Sequence, residues 1–379
     1  MSKLINILHI ITDLPIGGAQ YNTIYTVEKL NYKKYNISLA CNCKGEMLDK
    51  VKIVPNLNLI DVPFLTRDIN LIKDFKAFLS IFCLIRRGKY HIVHTHSSKP
   101  GAIGTIAAWL NKTPVIIHTL HGFPFNEFMG RFTNKIYTLL EKFWFYFCDK
   151  IITVSQLNKE KAIKIKLAPR EKLINIYSGI DMDQFDKISS GDLKKELGLP
   201  DNYKLIGSVG RLSHQKDPIC FIKSIPLVLK KIKKIHFVLT GDGPLREILE
   251  KFIIQYKLSE HVSLIGNRDD IPNVLKSLDV FVLSSLYEGL GRSLTEAMYC
   301  KLPIVATEVE GVPELINHMK TGYLVQPRDH YEIAKGLLFC LRNNTHAKSM
   351  ACNAHKLVKN KFHILKMIDR IDSLYQAYI

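Results

Sequence analysis

The sequence lacks several features that would place a chain in a familiar class. Its longest apolar runs, 78–85 and 143–147, fall well short of the ~18 residues that a membrane-spanning helix needs. The N-terminal stretch has only a short apolar run and no small-residue cleavage site, so we expect a first strand rather than a signal peptide. These absences predict a cytoplasmic chain whose contact with a membrane would have to be peripheral.

Metal and disulfide frameworks are also missing. The eight cysteines are scattered, and the close pair Cys41 and Cys43 does not have CxxC spacing, so we expect reduced and mostly buried thiols. Because the histidines that crowd one region have no acidic or cysteine ligand at metal-like spacing, we expect no metal there. These histidines are His94, His96, His118 and His121.

Positive charge is abundant and unevenly spread. The net charge is +18, and residues 1–180 carry 25 Lys and Arg against 12 Asp and Glu, whereas residues 181–379 carry 28 against 23. A basic surplus can attract nucleic acid, anionic lipid or a phosphorylated substrate. No nucleic-acid-binding motif and no interleaving of aromatic with basic residues is present, which argues against nucleic acid.

Short β-branched runs alternate with helical patterns through both halves of the 379-residue chain. This alternation predicts two doubly wound parallel sheets, which is an α/β architecture. We expect an N-terminal domain over 1–178, a C-terminal domain over 179–360 and a terminal helix over 361–379 that returns to the first domain. The expected strands are 6–11, 37–40, 57–61, 92–96, 115–120, 150–154, 205–210, 236–240, 262–264, 280–283, 304–307 and 322–325.

Ligands of open α/β sheets bind beyond the carboxyl ends of the strands, so strand-to-helix loops should carry the function. The first such loop contains Gly17 and Gly18 before a helix, an arrangement that favours phosphate but is also a common structural turn. The equivalent loop of the second half contains Arg211 and Lys216. A guanidinium and an ammonium at this position could hold a diphosphate without Mg²⁺.

The most specific motif is EGLGRSLTE, which spans 288–296 and directly follows a predicted strand. Its carboxylates, Glu288 and Glu296, can accept hydrogen bonds from sugar or ribose hydroxyls. The intervening backbone amides precede a helix and can point at phosphate oxygens. The residues between the glutamates that we assign to donor binding are Gly289, Leu290 and Gly291.

Taken together, these motifs resemble glycosyltransferase family 4, whose members are retaining enzymes of the GT-B fold. The resemblance covers nearly the whole chain and is carried by GGAQ, HTLHG at 118–122, YSGID, GRLSHQKD, GDGP, EGLGRSLTE and EGVPEL at 310–315. It implies two Rossmann-like domains that face a central cleft. It also implies a nucleotide-diphosphate sugar as co-substrate and no metal cofactor.

The resemblance also implies a role for individual residues. Arg211 and Lys216 would hold the donor diphosphate, and Gly18 would contact it from the other domain. Glu296 would hold the ribose, and Glu288 the transferred sugar. By the same likeness, Arg268 would lie beside the base, and His121 would contact the donor sugar near the reacting carbon.

Four positions need separate comment. Ser284 stands where the family often has proline, and Leu290 where it often has phenylalanine. Neither change removes a ligand group, so they affect the expected sugar preference more than the expected activity. Asp181 and Asp183 form a DxD triplet, which binds metal in glycosyltransferases of another fold. They fall in the linker that we expect at 177–199, where a helix-capping turn is the simpler explanation.

The sequence therefore predicts a metal-independent glycosyltransferase that moves a hexose or N-acetylhexosamine from a UDP-sugar or GDP-sugar. The expected acceptor is a saccharide, free or linked to polyprenyl pyrophosphate, in capsule, O-antigen or related surface-polysaccharide synthesis. The N-terminal surplus of charge and the loop at 123–131 suggest a peripheral position on an anionic membrane surface. The alternatives are a sugar-nucleotide epimerase of the same fold, an inactive sugar-nucleotide binder and a basic nucleic-acid-binding protein.

Overall fold

The computed structural model describes residues 4–125 and 128–378, and these divide into two compact units. Unit 1 contains the described residues up to Gly179 together with those from Ile364 onward. Unit 2 spans Ile180–His363. The helix at the C-terminus therefore belongs to the unit that contains the N-terminus.

Unit 1 is built on a seven-stranded sheet in the order β3-β2-β1-β4-β5-β6-β7, and all of its paired strands are parallel. Strand order reverses between β1 and β4, so the sheet is doubly wound. Its strands are β1 (Ile5–Ile10), β2 (Tyr35–Cys41), β3 (Asn58–Asp61), β4 (Ile92–His96), β5 (Val115–Leu120), β6 (Lys150–Thr153) and β7 (Leu173–Asn175). Its helices are α1 (Gly18–Lys29), α2 (Leu48–Lys52), α3 (Leu71–Gly88), α4 (Ser98–Leu110), α5 (Arg131–Phe145), α6 (Gln156–Lys164) and α15 (Ile364–Gln376).

Helices cover both faces of this sheet. On one face α1 and α15 pack over β1 and β2, where Met367 and Tyr375 of α15 are buried. On the other face α3, α4 and α5 share one core, to which they contribute Ala77, Ala108 and Phe145. Strands covered on both sides are rich in apolar residues, which explains why β-branched runs marked them in the sequence.

Unit 2 repeats the plan with a six-stranded parallel sheet in the order β10-β9-β8-β11-β12-β13. Its strands are β8 (Lys204–Val209), β9 (Ile235–Thr240), β10 (Val262–Gly266), β11 (Val280–Leu283), β12 (Ile304–Thr307) and β13 (Tyr323–Val325). Its helices are α7 (Asp183–Asp186), α8 (Leu193–Glu196), α9 (Pro218–Leu229), α10 (Arg246–Gln255), α11 (Ile271–Ser277), α12 (Arg292–Tyr299), α13 (His330–Arg342) and α14 (Asn344–Lys361). The prediction of two doubly wound parallel sheets is confirmed.

The segment 177–199, expected to be a linker without periodicity, is held against unit 2 over most of its length. Met182, Phe185 and Leu193 are each at most 3% exposed, and two one-turn helices occupy it. Such short elements leave too few residues for a 3.6-residue period to appear. Asp181 accepts a hydrogen bond from Gln184 Nε2 at 2.8 Å, which agrees with a turn at a helix start.

Three elements of unit 1 were missed in the sequence, namely the five-residue helix α2, helix α6 and the three-residue strand β7. Helix α6 is a polar surface helix, and β7 is too short to show alternation. Among the residues that the structure describes, no helix has both the length and the hydropathy to cross a bilayer.

Candidate functional site

In unit 2, the two loops predicted to bind the donor lie side by side because β8 and β11 are neighbours at the point where strand order reverses. Hydrogen bonds of the backbone and of side chains join the loops. Leu286 N donates to Gln215 O at 2.7 Å, Gln215 Nε2 to Tyr287 O at 3.1 Å, and Ser284 Oγ to Lys216 O at 2.8 Å. The hydroxyl of Ser284, which replaces a family proline, therefore helps to fix the loop that carries Lys216.

Glycines allow the backbone of this region to pack closely. Gly241 has φ +121°, and a Cβ on it would lie 2.2 Å from Gly210 O, so any side chain there would displace the β8 loop. A Cβ on Gly210 would lie 3.2 Å from Lys216 Cε, so the lysine stem packs over this glycine. Arg211 is exposed at the end of β8. Its side chain has no hydrogen bond or ion pair with any residue that the structure describes.

Glu288 is almost fully buried, with 5% exposure, and it is held on several sides. Its Oε1 forms an ion pair with Lys216 Nζ and accepts a hydrogen bond from Ser285 Oγ at 2.7 Å. Its backbone amide donates to Glu310 Oε2 at 3.1 Å. Two residues that the sequence predicted to serve the donor, Lys216 and Glu288, are thus direct partners.

Glu296 lies one turn into α12 and is 6% exposed. Arg292 Nε donates to its Oε1 at 2.6 Å. The helix begins after Gly291, whose φ of +89° is in the region that favours glycine, while Leu290 is buried at 3%. The first backbone amides of an α-helix lack acceptors one turn earlier in the chain, so the start of α12 can bind an anion.

Arg268 is bound to carboxylates on two sides. Its Nη1 and Nη2 reach the two oxygens of Glu196 at 2.5 and 2.9 Å, and its Nε and Nη2 reach those of Asp270 at 2.7 Å. This arrangement lowers the pKa of Asp270 to about 2. The guanidinium therefore ties its own loop to α8, and a nucleotide base beside it would depend on main-chain contacts.

The predicted residues of unit 1 occupy the corresponding places in its sheet. Gly17 ends the loop that follows β1, and Gly18 begins α1. A Cβ on Gly17 would lie 2.6 Å from Gln20 Oε1, and Gln20 Nε2 in turn donates to Asp13 O at 3.2 Å. Gly17 therefore makes room for a side chain that ties the helix to the preceding loop.

His121 is the end of a chain of buried hydrogen bonds at the β1/β4 junction. Its Nε2 lies 3.2 Å from His96 Nδ1, and His96 Nε2 lies 3.0 Å from His9 Nδ1. Tyr375 of α15 then bridges His9 Nε2 at 3.4 Å and His94 Nδ1 at 2.6 Å. A neutral imidazole donates through one nitrogen and accepts through the other, so the proton positions along this chain are coupled.

Burial keeps these rings neutral. It lowers the pKa of His9, His118 and His121 to about 3 and the pKa values of His94 and His96 well below 6.5. Three of them, His9, His94 and His96, offer nitrogens within 4.8 Å of one another, as a metal site would. Their nitrogens are already engaged, since His94 Nε2 also lies 2.7 Å from Thr119 Oγ1.

The loop 123–131, expected to reach lipid headgroups, does not offer its first aromatic rings to solvent. Phe123 and Phe125 are 5% and 4% exposed and pack against each other in the core beside α3, α4 and α5. The expectation is wrong for these residues, because apolar side chains without helical spacing can equally fill a core beneath a loop. Asn126 and Glu127 of this loop lie outside the described residues.

Sequence reasoning missed Ser285, His9 and Tyr375. Ser285 donates a hydrogen bond to Glu288 from the same loop. Its position three residues before that glutamate was the feature of the sequence that could have indicated this contact. His9 interrupts an apolar strand, which marks a polar side chain that needs a buried partner. Nothing in the sequence indicated that Tyr375 would be that partner.

Two family models match the chain. Residues 16–184 match the family described as "Glycosyltransferase Family 4", and residues 189–357 match "Glycosyl transferases group 1". The matches fall almost entirely on units 1 and 2, respectively.

Individual relatives agree with these matches. The chain is 33% identical over 376 residues to the UDP-Gal:alpha-D-GlcNAc-diphosphoundecaprenol alpha-1,3-galactosyltransferase of Escherichia coli, covering 98% of this chain and 96% of the relative. It is 27% identical to the capsular polysaccharide biosynthesis glycosyltransferase CapM of Staphylococcus aureus, with 83% of each chain covered. The crystal structure of Anabaena HepE with UDP and glucose superposes with a TM-score of 0.84 at 20% identity, covering 98% of this chain and all of HepE, which confirms the GT-B fold. The chain belongs to the family 4 glycosyltransferases.

Proposed function

We propose that this glycosyltransferase moves a hexose, with galactose the first candidate, from UDP to a saccharide carried on a polyprenyl diphosphate. The observation that carries the donor proposal is the pair of joined loops at β8 and β11, which combine Arg211, Lys216, Glu288 and the start of α12. The galactosyltransferase relative, which is matched over nearly its whole length, supports UDP-galactose and a diphosphate-linked acceptor.

Cleavage of the donor places negative charge on the departing diphosphate while the anomeric carbon gains positive charge. In the proposed reaction Arg211, Lys216 and the amides at the start of α12 stabilise that leaving group, and they do so without a metal. Glu288 accepts hydrogen bonds from the transferred sugar. Because its Oε1 is bound to Lys216 and Ser285, we assign Glu288 to positioning and not to nucleophilic attack. The acceptor hydroxyl attacks the anomeric carbon from the face that the diphosphate leaves, and its proton passes to the departing diphosphate oxygen.

The acceptor proposal places the enzyme at the inner face of the cell membrane. A polyprenyl chain keeps its diphosphate and sugars at the bilayer surface, so the enzyme must work there. The positive surplus of residues 1–180 is in the unit that family 4 enzymes use for the acceptor, and it supports attraction to an anionic surface.

The test uses the purified chain with an N-acetylglucosamine diphosphate on a short, water-soluble alkyl group. Separate reactions contain UDP-galactose, UDP-glucose, UDP-N-acetylglucosamine or GDP-mannose, and mass spectrometry detects a disaccharide diphosphate. We expect product from a UDP-hexose and loss of that product in Glu288→Gln, which keeps the size of the side chain but removes its charge.

The remaining alternative activities give different results in the same reactions. An epimerase would change the sugar nucleotide when the acceptor is left out, whereas a transferase leaves it intact apart from slow hydrolysis. Product from GDP-mannose alone would overturn the choice of donor base. Binding of UDP-sugars without transfer to any saccharide would overturn the proposed function as a whole.

A further inference from the structure

Helix α5 of unit 1 turns an apolar stripe toward solvent. Its large exposed side chains recur at positions i, i+4, i+7, i+8 and i+11, which lie on one side of a helix. Phe132 is 78% exposed and Phe143 is 58% exposed, whereas Glu141 on the opposite side is fully buried. The stripe consists of Phe132, Ile136, Leu139, Leu140 and Phe143.

The beginning of α3 also exposes large apolar side chains to solvent. Leu71, Ile72 and Phe75 are 83%, 71% and 61% exposed. This helix start is firmly held, because Asn70 Oδ1 accepts from Lys73 N at 3.0 Å and Asp74 forms a 2.7 Å ion pair with Lys99 of α4. The apolar side chains are therefore presented by a capped and anchored helix.

The two stripes belong to one layer. Helices α3 and α5 pack on the same core, and α4 contacts both of them. Helix α4 has half-buried Ile103 and Ile106 in its middle turns, and its last turn exposes Trp109 and Leu110. Single exposed apolar residues are normal on a protein, but an apolar surface that crosses three adjacent helices indicates a binding partner. We call this surface, formed by the outer sides of α3, α4 and α5, the helical face.

Charge on the helical face has one sign. Lys73 and Lys76 lie among the apolar residues of α3, and α5 carries Arg131, Lys135 and Lys142. The acidic residues of these helices do not balance them, because Asp74 is paired with Lys99 and Glu141 is buried. A second copy of this chain would oppose these cations with its own, so the charge disfavours self-association through this face.

We propose that the helical face docks on an anionic lipid bilayer, with its apolar side chains among the upper acyl segments and its lysines at the headgroups. This inference deepens the proposed function, because it states how the enzyme meets a lipid-linked acceptor. It also moves the membrane contact from the buried phenylalanines of the 123–131 loop to neighbouring helices.

Liposome flotation tests the proposal on the full chain, with phosphatidylcholine vesicles that either contain or lack phosphatidylglycerol. Leu139→Gln combined with Phe143→Gln alters the apolar stripe, and Lys135→Glu combined with Lys142→Glu alters the charge. Ile254→Gln is the matched control, because Ile254 is 70% exposed but lies in unit 2.

We expect the wild type and Ile254→Gln to float with the anionic vesicles and to be released as salt rises. The apolar double variant should bind about tenfold more weakly or worse. Loss of each lysine should weaken binding to anionic vesicles about fivefold, so the charge-reversed double variant should bind at least ~25-fold more weakly. All four side chains are at least partly exposed, so circular dichroism and thermal unfolding should match the wild type.

Three results would overturn the proposal: equal flotation with neutral and anionic vesicles, wild-type flotation by both double variants, or a lipid-free dimer that the same substitutions dissociate. Transfer to the water-soluble acceptor separates this proposal from the proposed function. Both double variants should retain that activity, since they leave the β8 and β11 loops untouched. A wild type that binds anionic vesicles but transfers no sugar would refute the function and leave the docking face intact.

Discussion

Removing either partner of the Lys216–Glu288 ion pair should have opposite effects on UDP binding. Lys216 is bound to Glu288 before any donor arrives, so a diphosphate must share the ammonium group with a carboxylate. Lys216→Ala removes a charged hydrogen-bond donor from the diphosphate site. Glu288→Ala instead releases Lys216 from its partner and leaves the ammonium free for phosphate.

The magnitudes follow from the exposure of the two side chains. A hydrogen bond to a charged group contributes roughly 1.5–3 kcal/mol, and the competition with Glu288 puts Lys216 at the lower end, about a tenfold loss of UDP affinity. Which of the two substitutions destabilises the protein more depends on which charged residue remains. The side chain of Glu288 is 7% exposed and that of Lys216 is 23% exposed. Lys216→Ala leaves the more buried charge, that of Glu288, without its partner, so it should lower the free energy of unfolding by about 1–3 kcal/mol, more than Glu288→Ala does.

Isothermal titration with UDP and urea unfolding of both variants and the double variant measure these effects. The double variant should lose less stability than the sum of the losses in the two single variants, by about 0.5–3 kcal/mol, because the two residues are in contact. Lys223→Ala, a lysine on α9 of the same unit, serves as the control for loss of charge alone. If Glu288→Ala weakens UDP binding as much as Lys216→Ala does, the carboxylate takes part in nucleotide binding and the reasoning is wrong.

Three further perturbations test other parts of the molecule. Transfer should persist in excess EDTA, since we expect no metal to act; activity that disappears and returns with Mg²⁺ or Mn²⁺ would contradict this. Burial raises the pKa of Glu141 from 4.5 to about 8, so the native state favours the neutral carboxyl group and loses stability as the pH rises through that range. In urea unfolding between pH 5 and 8, this loss should be on the order of 2–4 kcal/mol. Glu141→Gln should abolish it, and an unchanged pH slope in that variant would refute the assignment. Tyr375→Phe should cost about 1–3 kcal/mol by leaving His9 and His94 without their shared hydroxyl, whereas a stability equal to the wild type would show that the hydroxyl contributes nothing.

The fold was largely predictable because parallel strands buried on both faces are marked by their composition. Strands β4, β5, β11 and β12 begin and end at the residues predicted for them, and the helices between them are long enough to show a period. The misses occurred where this information is absent. Strand β7 has three residues, and the one-turn helices α7 and α8 have four each, so their positions depend on the surface against which they pack.

The candidate site was predictable in its members and less so in its contacts. Glycines, two glutamates and a basic loop could be recognised because each type of residue suits a part of a nucleotide sugar. That Lys216 and Glu288 would be paired depends on β8 and β11 being neighbours, which is a property of the sheet order. The bracing of Arg268 likewise depends on Glu196, a residue 72 positions away.

The histidine chain shows why the rest could not be predicted. Alternate residues of a strand point to the same side of the sheet, so His94 and His96 of β4 emerge beside His9 of β1, whose register pairs it with His94. Three neutral rings packed together still need a group that can both donate and accept, and Tyr375 supplies it from a helix 281 positions away from His94. The return of α15 to unit 1 therefore completes the polar core behind His121 as well as covering apolar strands. The amphipathic pattern of α15 predicts only the second of these roles, because a tyrosine on a buried helix face looks the same in sequence whether or not its hydroxyl has a partner.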